Sequence, residues 1–169
     1  MRLLIYDPWN LEHGLAADLC ALIARSGWSA DWLAATRRLC AAERDSHDYR
    51  EWLLLHEREL STGRWRKFTQ QPFDAFIGFG SASAVLAAAL PRSVRKFAVV
   101  EQLESKRFVR LNAESRSVFH RRVEIDLLRT FDQVVASSNI ASLFADEGLK
   151  NVVTSIQEIE NVLTVRKVA

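Results

Sequence analysis

Phe73-Asp74-Ala75-Phe76-Ile77-Gly78, then Phe79-Gly80-Ser81, then an Ala-rich stretch over about Ala82–Leu90 closed by Pro91, is the run that decides the fold. A short, nearly unbroken apolar run suits a strand covered on both faces, because alternation arises only when one face meets water. Gly78 and Gly80 mark a turn, Ser81 and Ser83 are helix-capping types, and proline cannot continue a helix. The same grammar recurs in both directions. Arg2–Tyr6 is a strand closed by Asp7-Pro8-Trp9-Asn10, after which Leu15, Leu19, Leu22 and Ile23 share one helical face that Gly27 stops. Lys96–Val100 reads as a third strand, Phe131–Ala136 as a fourth and Asn151–Ile156 as a last. Ser137-Ser138-Asn139 follows the fourth and opens a helix through Ala145 that stops at Gly148. Strands alternating with helices predict one Rossmann-like α/β domain over residues 1–169, with four to five mostly parallel strands. The turns after those strands are expected on one edge of the sheet, where ligands of such folds bind.

Two stretches break the rhythm. Residues 31–67 read as a helical insert of two helices anchored by Trp32, Leu33, Leu39, Trp52, Leu53, Leu55 and Leu60, with Asp48 and Glu51 spaced as a capping box. Residues 102–129 are polar and basic and read as one or two helices turning Phe108, Leu111, Val118, Phe119, Ile125 and Leu128 inward.

Composition narrows the function classes. The 169 residues are 49% hydrophobic and 26% charged, which fits one soluble globular domain and excludes wholesale disorder. No apolar run approaches the ~20 residues of a membrane span, and Met1–Asp7, a short apolar run that meets Pro8, is not expected to act as a secretory leader. Cys20 and Cys40 form no CxxC pair, so a reducing, cytoplasmic setting is expected without a disulfide or zinc site. His13, His47, His56 and His120 have no HExxH spacing, so no metal is called for, and no motif calls for a cofactor. The net charge of +2 hides ten basic and five acidic residues between Arg92 and Arg129. Lys106, Arg107, Arg110, Arg121 and Arg122 are the cations expected at its surface, where an anionic membrane is a candidate partner and nucleic acid a poorer one.

The candidate ligand-binding residues are Gly78, Gly80, Ser81 and Ser83 in the first turn and Ser137, Ser138 and Asn139 in the last, since glycine lets a ligand approach backbone and a helix start attracts anions. The same residues also suit a purely structural strand–helix turn, as neither GxGxxG nor a lysine-bearing phosphate loop is present. For catalysis the candidates are Asp7 and Glu101, carboxylates at strand ends able to act as general bases, and His13 just past the first turn. His47 and His56 are expected to face solvent and His120 to join the basic face. The five tryptophans, Trp9, Trp28, Trp32, Trp52 and Trp65, fall in the first 65 residues and read as core anchors or a protein interface. Trp65 lies among Arg64, Arg66 and Lys67, an arrangement that could dock on phosphates or a membrane interface.

Met1–Tyr6 leading to Arg25-Ser26-Gly27, Phe73–Gly78 with Ser81–Ala84, Lys96–Val100, and Phe131–Ser138 running on to Gly148–Val153 resemble successive units of the N-terminal, acceptor-side domain of GT-B fold glycosyltransferases. The resemblance covers about two-thirds of the chain. It implies an acceptor-binding domain that is not catalytic alone and works with a protein partner or as a homo-oligomer. The family holds its nucleotide-sugar donor in a C-terminal domain, so a nucleotide sugar is not expected on this chain by itself. Where the family often has a histidine after the third of these strands, this sequence has Glu101 and Gln102. The Phe73 and Phe131 units also resemble halves of uroporphyrinogen-III synthase, which needs two such domains. A scaffold with a tryptophan-rich interface and a small stand-alone α/β enzyme remain the alternatives.

Overall fold

The computed structural model describes residues 1–8, 14–34, 49–105 and 114–165, with the side chains of 114–118 left out. Six strands form one all-parallel sheet: β1 (Arg2–Asp7), β2 (Ser29–Ala34), β3 (Ala75–Phe79), β4 (Arg95–Val100), β5 (Gln133–Ala136) and β6 (Val152–Val153). Their spatial order is β2-β1-β3-β4-β5-β6, so the direction of winding reverses between β1 and β3. The helices are α1 (Leu15–Ser26), α2 (Tyr49–Leu60), α3 (Gly63–Thr69), α4 (Ala84–Ala88, entered through a 3-10 turn at Ser81–Ser83), α5 (Glu114–Leu128), α6 (Ser138–Asp146) and α7 (Gln157–Thr164).

The Rossmann-like α/β reading holds, with six strands rather than four to five. The extra strand is β2, which occupies the start of the expected helical insert and carries Trp32 and Leu33. Only Leu33 of its six residues is buried, so an edge strand of this kind has no continuous apolar run to announce it. The insert's described helices are α2 and α3; Leu39, Cys40, His47 and Asp48 lie outside the described residues. The last strand shrinks from Asn151–Ile156 to Val152–Val153.

Side chains alternate cleanly across the sheet, as period-two geometry requires. Leu3, Ile5, Ala75, Ile77, Phe79, Phe97, Val99 and Val135 pack with Ala16, Leu19 and Leu22 of α1 and Ile159 and Leu163 of α7. Leu4, Tyr6, Phe76, Ala98, Val100, Val134 and Ala136 face the other way, toward Trp65, Leu86, Ile125, Leu128 and Phe144. Trp65, set among cations in the sequence, is buried with its ring edge-on to Phe76 at 6.3 Å, so it presents no aromatic face to a membrane. Burying a large apolar side chain of this kind contributes about 2 kcal/mol. Gly27 ends α1 in the left-handed conformation, φ 64°, as its position in the sequence predicts.

Candidate functional site

Because every strand is parallel, the segments after β1, β3, β4 and β5 share one edge, and the reversal between β1 and β3 makes that edge the place where a doubly wound sheet parts to admit a ligand. Asp7 ends β1 there and is buried at 3% exposure, engaged with its surroundings. Gly78, Gly80, Ser81 and Ser83 are all buried. Gly80 has φ 77°, and a methyl added to it would overlap the Glu104 carboxyl; one on Gly78 would overlap Ser83. The close approach that these glycines allow is therefore made by the chain's own side chains.

Neither serine caps its helix in the expected manner. The Ser83 hydroxyl donates back to the Gly80 carbonyl at 2.6 Å. The Ser81 hydroxyl lies 2.5 Å from both Glu104 Oε2 and the Tyr49 hydroxyl, and 3.4 Å from Glu124 Oε1. The Ala82 N–H donates to the same Glu104 oxygen at 2.8 Å, so a carboxyl from the segment after β4 does the capping. Glu101 does likewise one helix over. Its Oε1 accepts the Ala16 N–H at 3.3 Å at the start of α1, beside Gly14 with φ 59°. One stretch, Glu101–Ser105, thus covers the helix starts on both sides of the switch point.

Glu124 anchors that stretch from α5, accepting the Glu104 N–H at 2.8 Å, the Ser105 N–H at 3.1 Å and the Ser105 hydroxyl. Glu104 and Glu124 are 1% and 0% exposed. Among the described residues, no basic side chain pairs with either. Burial, reinforced by the Glu124 charge, pushes the Glu104 carboxyl from an ordinary 4.5 up to about 7 against the pull of Ser81, the Ala82 N–H and the Trp52 indole. Burial also raises Glu124, opposed by its donors from Ser105 and Glu104. Tyr49 is raised well above its usual range by burial and by the two carboxyls.

Two histidines expected at the surface are buried instead. His56 points inward from α2, its Nδ1 2.9 Å from the Trp52 carbonyl oxygen and its ring edge-on to Trp52 and Tyr6. Burial pulls it from 6.5 down to about 4, so it is neutral at pH 7. His120 on α5 is buried with its ring 6.0 Å from that of Tyr49. Phe119 turns outward at 45% exposure beneath the Arg50 guanidinium, whereas Ile125 and Leu128 face inward as the pattern predicts.

Of the other candidates, Ser137 stands at the start of α6 without a side-chain capping bond, while Ser138 and Asn139 are exposed, apart from the buried cluster. His13, Lys106, Arg107 and Arg110 lie outside the described residues. Arg121 pairs with Glu147 at 3.0 Å and Arg122 is exposed; Arg95 and Arg129 are also paired, with Asp132 and Asp126. A separate polar cleft of about 270 Å³ lies between α1 and the start of α7, lined by Asp18, Arg25, Thr154, Ser155 and Gln157. No group of three or more metal-ligating side chains occurs among the described residues, and no described helix is long and apolar enough to cross a membrane. Sequence reasoning missed Glu104, Glu124 and Tyr49. A signal existed at Glu124, four residues after His120 and next to Ile125, on the face of α5 that the apolar residues mark as inward.

No protein-family model matches the chain, and no curated protein is detectably similar to it.

Proposed function

We propose that this chain is an acceptor-side domain of the glycosyltransferase type, binding a hydroxyl-rich ligand at its switch-point edge and relying on a partner chain to hold the donor. The carrying observation is that the two helix starts flanking the switch point are occupied by carboxyls of the chain itself, Glu101 on Ala16 and Glu104 on Ala82. In a doubly wound fold those N–H groups are the natural seat of a diphosphate. With those N–H groups already engaged by the chain's own carboxyls, a nucleotide-sugar donor has no seat there, while Asp7 and Glu101 are acceptors suited to sugar hydroxyls and to drawing a proton from one. Isothermal titration of the purified chain tests this. A neutral oligosaccharide panel should yield a ligand whose heat disappears in Asp7→Asn, and nucleotide sugars should give none. Micromolar binding of a nucleotide sugar, about −8 kcal/mol, overturns the reading.

A cytoplasmic setting belongs to the same proposal, as does weak attachment to an anionic membrane through the basic segment. A second reading, a scaffold that assembles through β2, is favoured by Trp32, which is 38% exposed on the outermost strand while Trp52 and Trp65 are buried. Sedimentation velocity separates the two, since a scaffold gives a dimer that Trp32→Ser dissolves.

A further inference from the structure

Glu104 and Glu124 are two buried carboxyls whose hydrogen-bond partners differ. Both oxygens of Glu124 accept from donors, the N–H groups of Glu104 and Ser105 and the Ser105 hydroxyl. Backbone N–H groups cannot reverse, so this set suits an ionised acid. Glu104 receives the Ala82 N–H and the Ser81 hydroxyl on Oε2, with the Trp52 indole as a further donor near the carboxyl. Its Oε1 is buried against Gly80 without a well-formed hydrogen bond. A bare charge there would stand desolvated beside Glu124, whereas an uncharged O–H is tolerated at far lower cost.

We infer that Glu101–Ser105 is a strap across the switch-point edge whose latch is the proton on Glu104: protonated, the carboxyl stays docked on Ser81 and Ala82; ionised, it is driven out and the strap lifts. The groups facing the latch come from every neighbouring element. Ser81 faces it from the turn after β3, Tyr49 and the Trp52 indole from α2 with His56 behind Trp52, and Glu124 and His120 from α5. Tyr49 is held neutral by burial and the neighbouring acids and so adds no further negative charge, and His56 is held neutral by burial and so supplies no compensating cation. Toward its other end Leu103 is buried in the core, and among the described residues the side-chain bond there is the longer one from the Ala16 N–H to Glu101.

The docked carboxyl is a weaker acid than an exposed one, and that sets the sign. The closed form holds its proton to about pH 7, while a lifted Glu104 loses it near 4.5, so closure is strongest in acid and weakens as pH rises across that interval. Hydrogen exchange of the full chain, read by mass spectrometry at pH 5 and pH 7.5 and corrected for intrinsic rates, tests this. Peptides covering 101–105 should exchange at least about tenfold faster at the higher pH, with β1 peptides unchanged. Glu104→Gln, which keeps the docked shape without a charge, should stay protected at both values. Glu124→Gln, which turns an amide donor toward N–H groups, should lose protection at both. Equal corrected protection of the wild-type strap at the two pH values overturns the inference, and so does a Glu104→Gln strap that retains the pH dependence. Those two arms decide the matter even if Glu124→Gln fails to fold. No ligand enters the experiment, so failure of the acceptor reading leaves the strap standing.

Discussion

On the α1–α7 face of the sheet, Leu3, Ile5, Ile77 and Val99 meet Leu19, Leu22, Ile159 and Leu163, and polar contacts such as Ser26 to Glu160 stay at the rim. On the opposite face an equally apolar core encloses Glu104, Glu124, Ser81, Tyr49 and His56. The first face is held by area removed from water, which is indifferent to pH. The second adds groups whose burial is tolerable in one protonation state and costly in the other. Position in the fold explains the division, since the polar cluster sits where the segments leaving β3 and β4 cross the switch-point edge.

The comparison breaks most visibly at Gly80. Gly80→Val forces a β-branched residue into φ 77° and drives its side chain into Glu104, and should lower stability by about 4 kcal/mol or abolish folding. A urea melt with circular dichroism reads this; a loss under about 1 kcal/mol would mean that the cluster yields easily. Leu19→Ala on the other face should cost about 3 kcal/mol, with the same loss at pH 5 and pH 7.5. A loss that changes with pH would show that the apolar face is not independent of the titrating one.

Next in size is a pair of opposing titrations on the polar face. Glu104, raised to about 7, stabilises the fold in acid and loses that contribution as pH rises from about 4.5 to 7. His56, lowered to about 4, does the reverse: on acidification below 6.5 the unfolded histidine gains a proton that the folded one refuses. The wild type should therefore change little in global stability between pH 4.5 and 6.5. Glu104→Gln should lose about 2 kcal/mol on acidification across that window, and His56→Leu should gain about as much. Chemical denaturation of the three proteins at each pH is the measurement, and parallel pH profiles would refute the opposition. The smallest effect belongs to the basic surface. With Arg95, Arg121 and Arg129 in ion pairs, Arg122→Ala should weaken co-sedimentation with anionic vesicles by about 1 kcal/mol at low salt and not at high salt. Equal recovery on neutral and anionic vesicles would make this face a solvated surface only.

The strands that were legible in sequence, β1, β3, β4 and β5, are those buried on both sides, where apolar runs are continuous. β2 escaped because five of its six residues are not buried, and Trp32 beside Leu33 fits a helix as well as a strand. The turns of the switch-point edge were legible from glycine and serine alone. What fills them was not, because Glu104 and Glu124 stand 20 residues apart within a charge-rich stretch, and although Glu124 shares the inward face of α5, nothing local joins it to Glu104. His56 misled for the same reason: its neighbours in sequence, Glu57 and Arg58, point to solvent while it points to Trp52 and Tyr6.

Arg2 gathers the beginnings of three strands: its backbone exchanges bonds with Asp74, and its guanidinium reaches Pro72 and Asp31. Sequence distance divides the sheet into two blocks, β1–β2 and β3 through β6, each wound by short crossovers, that meet along the single seam of β1 with β3. With β1 and β2 already paired, zipping that seam closes a loop of about 40 residues from β2 to β3, at an entropic cost of about 3 kcal/mol before any contact across it forms. The order of assembly follows: the blocks form early and the seam last, with Arg2 among the final residues to find its partners. Pulse-labelled refolding should thus protect amides bonded within β1–β2 and within β3–β6 before those bonded across the β1–β3 seam, and simultaneous protection of all of them would rule that order out.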